Sequence, residues 1–274
     1  MSLSIVASVA ARKAAIHAAP SSSCALCASR RLCWSSDVHA DDSWHAQLEF
    51  GKRKIKRGSS LFRMGDAFDN LYAIRSGAFK SSVLLEDGRE QVTGFKLVGE
   101  LLGLDGIGTD EYMSDTVALE DAEVCVIPYA RMVALWRDAP ALACEMNRML
   151  SREIAHDQSV MALLGTMQAE ERVIVFLLNL AQRYEARGYA PNEFMLRMTR
   201  EEIGSYLGLT LETVSRVFSR LQALALIELE HNRMVRLLDG PKLRARISTA
   251  VGVESRIART ARAQQATIPA IAAA

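Results

Sequence analysis

The segment MTREEIGSYLGLTLETVSRVFSRL, Met198 to Leu221, decides the reading of the whole chain. It divides into two short helices around a tight turn. Thr199 and Glu202 form a capping box, in which a hydroxyl and a carboxylate satisfy each other's helix-start amides. Gly208 supplies the turn, and Thr210 is the expected N-cap of the second helix. On that helix Leu211, Val214, Phe218 and Leu221 recur at 3-4-3 spacing and form a core stripe. Beside the capping Thr210, the opposite face carries Glu212, Thr213, Ser215, Arg216, Ser219 and Arg220. Arginine forks onto guanine, glutamate accepts from cytosine N4, and hydroxyls serve either base edges or phosphates. A helix-turn-helix lays the N-terminal part of its second helix in the major groove. The plain alternative is a helix pair with a solvated outer face, where Glu and Arg one turn apart are common.

Composition sets the bounds. At 274 residues the chain is long enough for two domains with full cores, and a hydrophobic share of 50% makes it globular. The formal net charge of +1 is no nucleic-acid signature. Residues 195–240 hold six Arg against six acidic residues, which weakens any electrostatic case for DNA, since non-specific affinity comes mainly from phosphate neutralisation. Residues 241–262 carry one Lys and five Arg against one Glu, a basic tail that reads first as solvated. No apolar run approaches the ~18 residues of a membrane span. In SLSIVASVAARKAAIHAAPSSS the charges follow the apolar run, the wrong order for a secretory signal, so residues 1–23 read as a disordered extension and the chain as cytoplasmic.

Cys24, Cys27 and Cys33 follow at C-x2-C-x5-C spacing, with Cys125 far along the chain. Three cysteines so close together are not core packing. On spacing alone an iron–sulfur cluster and zinc fit equally, and disulfides fit less well without an oxidising compartment. Cys144, solitary, reads as a small core residue.

From Trp44 to about Tyr129 short strands alternate with turns, at Ser76-Gly77, Asp87-Gly88 and Glu120-Asp121, which predicts a β-roll or jelly roll. Cys125 falls in the last of these strands. Helical pattern runs from Asp138 to about Leu164. Leu150, Ile154, Asp157, Met161 and Leu164 follow a 4-3-4-3 seam, while Leu142, Met146 and Met149 point elsewhere, toward the β domain. In a parallel homodimer Asp157 faces its own copy, and two like charges there cost on the order of a kcal/mol at intermediate dielectric. The other reading places Asp157 at a solvated seam edge. A further helix spans Glu170–Arg187, striped by Val173, Phe176, Leu177, Leu180 and Tyr184. After the helix-turn-helix come two short strands, Ile227–Glu230 and Met234–Leu238, the order of a winged helix-turn-helix. The expected fold is therefore α+β. A sensor domain spans 24–137, a dimerisation helix 138–166, a DNA-binding domain 167–240 and a basic Ala-rich tail 241–274.

These parts, in this order, resemble the CRP/FNR family of bacterial transcription regulators over roughly Cys24 to Leu238. The cysteine pattern, LTLETVSR (209–216), GFKLVGELLGLDGIG (94–108) and REIAHDQ (152–158) resemble its FNR branch. The resemblance implies a [4Fe–4S] cluster on Cys24, Cys27, Cys33 and Cys125, destroyed or converted by oxygen. It implies a homodimer favoured by the cluster, joined through Leu150, Ile154, Asp157, Met161 and Leu164. It implies binding to double-stranded DNA at palindromic TTGAT-type sites, with Thr210, Glu212, Thr213, Ser215, Arg216 and Arg220 at the interface. It also implies an RNA polymerase contact at Leu84, Leu85, Glu86, Asp87, Gly88, Arg89 and Glu90.

Two rivals have other chemistry. Members that bind a cyclic nucleotide hold its phosphate with an Arg-Ser or Arg-Thr pair downstream of Gly-Glu-Leu. Here Gly99-Glu100-Leu101 is followed by Met113-Ser114 at that place, so the charge-assisted bonds are missing and no cyclic nucleotide is expected. The other rival is a zinc-stabilised DNA-binding or interaction protein. The chain has no Gly-rich phosphate loop after a strand, no HExxH and no nucleophile elbow, so it does not read as an enzyme.

Overall fold

The structure is a computed structural model that describes residues 22–23, 33, 49–138, 140–231 and 233–247. The expectations for Cys24, Cys27, most of the N-terminal extension and the tail beyond 247 lie outside the described residues.

The N-terminal domain is built from β1 (Ser22–Ser23), β2 (Glu49–Ile55), β3 (Ser60–Phe62), β4 (Asn70–Ser76), β5 (Phe79–Leu84), β6 (Glu90–Lys96), β7 (Leu101–Leu102), β8 (Asp115–Ala118) and β9 (Ala122–Pro128). They form two sheets, ordered β1-β2-β9-β4-β7 and β3-β8-β5-β6. Alternation along the strands turns one face of each sheet inward. Tyr72, Ile74 and Val124 from one sheet meet Phe62, Phe79 and Ala118 from the other in a single core. Phe62 stacks on Tyr112 with ring centroids 3.9 Å apart. This is the expected β-roll.

The outer face of the five-stranded sheet is covered by helices. α1 (Tyr129–Asp138) leads directly out of β9, and α2 (Pro140–Thr166) follows. The helical region thus begins at Tyr129, earlier than the pattern predicted, and Pro140 marks the break because proline suits the first helical turn and not an interior. Met132 of α1 with Leu142 and Met146 of α2 join the β-roll core, as the pattern of α2 predicted. Cys144 is exposed, a correction to its reading as a core residue. It lies two residues from Leu142 and Met146 on a helix of 3.6-residue period, and so points away from them.

The C-terminal domain comprises α3 (Ala169–Glu185), β10 (Glu193–Met195), α4 (Arg200–Leu207), α5 (Leu211–Ala223), β11 (Ile227–Glu230), β12 (Met234–Leu237) and α6 (Gly240–Ala245). The wing is a three-stranded sheet, ordered β10-β12-β11. Its outer strand β10 is not foreseen from the sequence, being three residues long, but Phe194 anchors it in the core. The core gathers Val173, Leu177 and Leu180 of α3 with Ile203, Val214, Phe218 and Leu221.

Candidate nucleic-acid interface and cysteine site

The helix-turn-helix forms as its sequence dictates. The Thr199 hydroxyl accepts from the Glu202 amide at 3.1 Å, and the Glu202 carboxylate accepts from the Thr199 amide at 2.8 Å. Gly208 sits at φ +63°, the left-handed conformation that ends α4. Gly204 is required for another reason: a Cβ there would stand 2.6 Å from the Leu209 carbonyl oxygen, so only glycine lets α4 approach the turn this closely. Thr210 caps α5 by accepting from the Thr213 amide at 3.2 Å.

The buried stripe of α5 is Val214, Val217, Phe218 and Leu221. Leu211 is 45% exposed, a correction to the expected stripe. It is the first residue of the helix, ahead of the turns that pack on the domain. Arg200 lays its guanidinium over the Phe218 ring at 3.3 Å, and burial lowers its pKa to about 10.

Glu212, Arg216, Ser219 and Arg220 are exposed, and Thr213 and Ser215 are half-buried beside them. The Glu212 carboxyl is held below the usual range by a backbone amide and by Thr210, so it presents an ionised acceptor. Arg216 Nη2 donates to the Thr213 hydroxyl at 3.3 Å. Arg220 is tied back to Glu170 of α3 at 3.2 Å, which sets it apart from the other arginine of this face.

The seam of α2 is open. Ile154 is 59% and Met161 63% exposed, Asp157 is exposed, and Leu150 and Leu164 are half-buried. Partial burial and then neighbouring Glu153 raise the Asp157 pKa above the ordinary carboxylate value.

Two of the four cysteines in the motif, Cys33 and Cys125, lie among the described residues. Both are half-buried and pack against the β-roll core. Cys125 pairs across the sheet with Lys52 on one side and Ala73 on the other. Directly paired residues share a face, and Ala73 is buried. Ser23, the residue before Cys24, pairs with Glu49 on β2, whose other neighbour is β9. The strand order thus places Ser22–Ser23 on the sheet that carries Cys125. Among the described residues no group of three or more His, Cys, Asp or Glu side chains forms a metal-binding cluster.

The β5–β6 hairpin closes with the Leu85 amide on the Arg89 carbonyl at 2.8 Å and the Gly88 amide on the Leu85 carbonyl at 2.9 Å. Arg89 clamps Asp87 at 2.7 Å through Nε, and Leu84 and Leu85 are exposed at the tip. The Gly99-Glu100-Leu101 carboxylate is occupied. Glu100 Oε2 accepts from Arg183 Nη2 at 2.7 Å and from the Leu97 amide at 3.1 Å, and Oε1 accepts from Arg187 Nη2 at 2.5 Å. Ser114 gives its hydroxyl to Asp105 at 2.7 Å.

Comparison with known proteins agrees with this layout. Residues 171–246 match the Crp-like helix-turn-helix domain, and residues 52–138 match the cyclic nucleotide-binding domain. The transcriptional activator protein Anr of Pseudomonas protegens is 45% identical over 218 residues, 79% of this chain and 88% of that protein. The fumarate and nitrate reduction regulatory protein of Escherichia coli is 43% identical over 201 residues, 73% of this chain and 80% of that one. Among solved structures, FixK2 from Bradyrhizobium japonicum superposes with a TM-score of 0.67 at 28% identity, covering 72% of this chain and 97% of its own. These relatives are regulators of transcription and not enzymes, and no helix among the described residues is long and apolar enough to cross a membrane. The chain is a DNA-binding transcription regulator of the CRP/FNR family, in its FNR-type branch.

Proposed function

We propose that the protein is an oxygen-responsive regulator of anaerobic gene expression that works in the cytoplasm. Cys24, Cys27, Cys33 and Cys125 hold a [4Fe–4S] cluster, which supplies an oxygen-labile centre. Leu150, Ile154, Asp157, Met161 and Leu164 join two chains. Thr210, Glu212, Thr213, Ser215, Arg216 and Arg220 line the DNA interface at palindromic TTGAT-type sites. The hairpin from Leu84 to Glu90 meets RNA polymerase.

One observation carries the reading. Cys33 and Cys125, distant in sequence, both pack against the core that also seats the first half of α2. The donor set fits: a set of thiolates binds iron–sulfur clusters and zinc alike. The two described thiols are half-buried, which suits a centre shielded from bulk water. Anchoring the N-terminal segment to Cys125 tightens the same core against which Leu142 and Met146 pack, and so favours one placement of α2. Such binding shifts the monomer–dimer balance only by its differential affinity for the two states. The dimer gains DNA affinity because two half-sites are engaged together.

Purification without oxygen, followed by iron, sulfide and zinc analysis, tests the reading. About four iron and four sulfide per chain, bleaching in air and lost in Cys125→Ser, is the expected result. Stoichiometric zinc, or no metal after anaerobic reconstitution, overturns it.

A further inference from the structure

The two domains of one chain are bolted together, and the bolt sits on Glu100. Its carboxylate lies in the β6–β7 connection, in the sensor domain. Both of its cationic partners belong to the DNA-binding domain: Arg183 lies on α3, and Arg187 lies in the turn just past its end. Arg183 reaches both carboxylate oxygens and also donates to the Phe95 carbonyl at 2.7 Å. Arg187 reaches Oε1 and donates to the Val98 carbonyl at 2.7 Å. The two guanidiniums and one backbone amide saturate the acid, and the arginines pull its pKa down to about 2 against the opposing effect of burial.

Other contacts surround this centre. Lys96 pairs with Glu153 of α2. Glu120 pairs with Arg197 at 2.9 Å, and Lys80 with Glu202 of α4 at 3.2 Å. Ser205 of α4 accepts from the Val92 amide at 2.8 Å, and its carbonyl accepts from Gln91. Phe95 of the sensor domain packs edge-on against Phe176 and Tyr206 of the reading head.

This docking leaves the working surfaces open. Glu212, Arg216 and Ser219 of α5 stay exposed, as do Ile154, Asp157 and Met161 of α2. The contact therefore does not shield the reading head. We propose that Glu100 is a positioning residue for DNA recognition: through Arg183 and Arg187 it fixes the pose of the helix-turn-helix on the sensor domain. A head held in its binding pose loses less freedom on binding, so affinity rises. One carboxylate here serves two guanidiniums, all three groups partly withdrawn from water, so removing Glu100 leaves both arginines stranded.

The test uses the full chain with Glu100→Gln, Arg183→Gln and the double variant. Small-angle scattering of the cluster-free protein reads the joint, and this arm is independent of the proposed cluster and dimer. Glu100→Gln expands the scattering envelope, Glu100→Asp largely restores it, and the double variant is no more expanded than either single one. Anaerobic binding to a TTGAT palindrome is the second arm, which rests on the proposed dimer reading. There Glu100→Gln weakens affinity several-fold with dimer content unchanged. Arg187→Gln, which removes one arm of the bolt, gives the same readouts in smaller measure and serves if Glu100→Gln does not fold. Wild-type scattering and affinity in the folded variants, or additive effects of Glu100→Gln and Arg183→Gln, overturn the proposal. A looser envelope with no DNA binding by the wild type would instead fault the dimer reading alone.

Discussion

Two regions of α2 lie a few residues apart and are built in opposite ways. At the interdomain joint, Glu153 pairs with Lys96, next to the largely buried Glu100–Arg183–Arg187 contact. At the seam, Ile154 and Met161 hold apolar side chains out in water, with one carboxylate, Asp157, between them. Singly exposed apolar side chains are ordinary on a surface, but these two recur with Asp157 at the spacing of a helix-pair seam. The joint is complete within one chain, because every charge there finds its opposite in the same molecule. The seam is not, and the occupant we propose for it is a second copy of this helix, whose heptad spacing it would match.

Perturbations that act on one region alone sharpen this contrast. Ile154→Glu places a charge on the seam without touching the joint. It should weaken dimerisation by roughly 3 kcal/mol, about a hundredfold, as an uncompensated charge enters an apolar contact. Sedimentation of the anaerobic protein reads this, and an unchanged dimer would place the interface elsewhere.

Asp157→Ala should act in the opposite sense and less strongly, by about 1 kcal/mol in favour of the dimer. Its effect depends on pH. The Asp157 pKa is already raised in the single chain by partial burial and Glu153, against the lowering by Lys96 and His156. Its own copy across the seam would raise it further, so the dimer binds more protons than two monomers. Lowering the pH through the raised pKa should therefore strengthen wild-type dimerisation, while Asp157→Ala, which has lost the carboxyl, should respond less. Sedimentation of cluster-free protein across that range checks the sign, and equal pH response in both would show that Asp157 is solvated at the seam edge.

The joint has a pH response of the other sign. The Glu100 pKa is about 2, below its unfolded value, so its contribution is intact above the ordinary carboxylate range and fades only as pH falls toward 2. Thermal unfolding followed downward from neutral pH should show no loss from Glu100 until that range is entered. Loss already near neutrality would mean that another group governs the joint.

The smallest effect expected is from Arg197→Ala. It removes an ion pair to Glu120 whose two side chains are 38% and 28% exposed, and such pairs contribute under about 1 kcal/mol. A larger loss of stability would mean that the periphery of the joint, and not Glu100, carries it.

The same contrast explains what the sequence disclosed. The reading head was legible because its determinants are local: a capping box, a turn glycine and a periodic stripe within one short segment. Even there Leu211 broke the stripe, since periodicity marks a helix face and not where its packing begins. The seam is an expectation from spacing alone; Ile154 and Met161 are exposed, and that two chains join there is part of the proposal. The joint was not legible, because Glu100 and its arginines are separated by more than eighty positions, and carboxylate and guanidinium in solvated-looking segments carry no periodic signal. The place of Arg200 over Phe218 was missed although both lie in the helix-turn-helix segment, because a side-chain contact between two helices carries no periodic signal. Cys33 and Cys125 were singled out by residue type, but their packing against one core is tertiary, which residue spacing does not encode.

In the proposed function the cysteine site, the seam and the reading head form one oxygen-controlled chain of cause. The most direct test is sedimentation of anaerobically purified protein, first under nitrogen and then after air, alongside binding to a TTGAT palindrome. An iron-loaded dimer that binds the palindrome, and falls to a weakly binding monomer as iron is lost, is the expected result. A dimer whose mass and DNA affinity are indifferent to oxygen would contradict it.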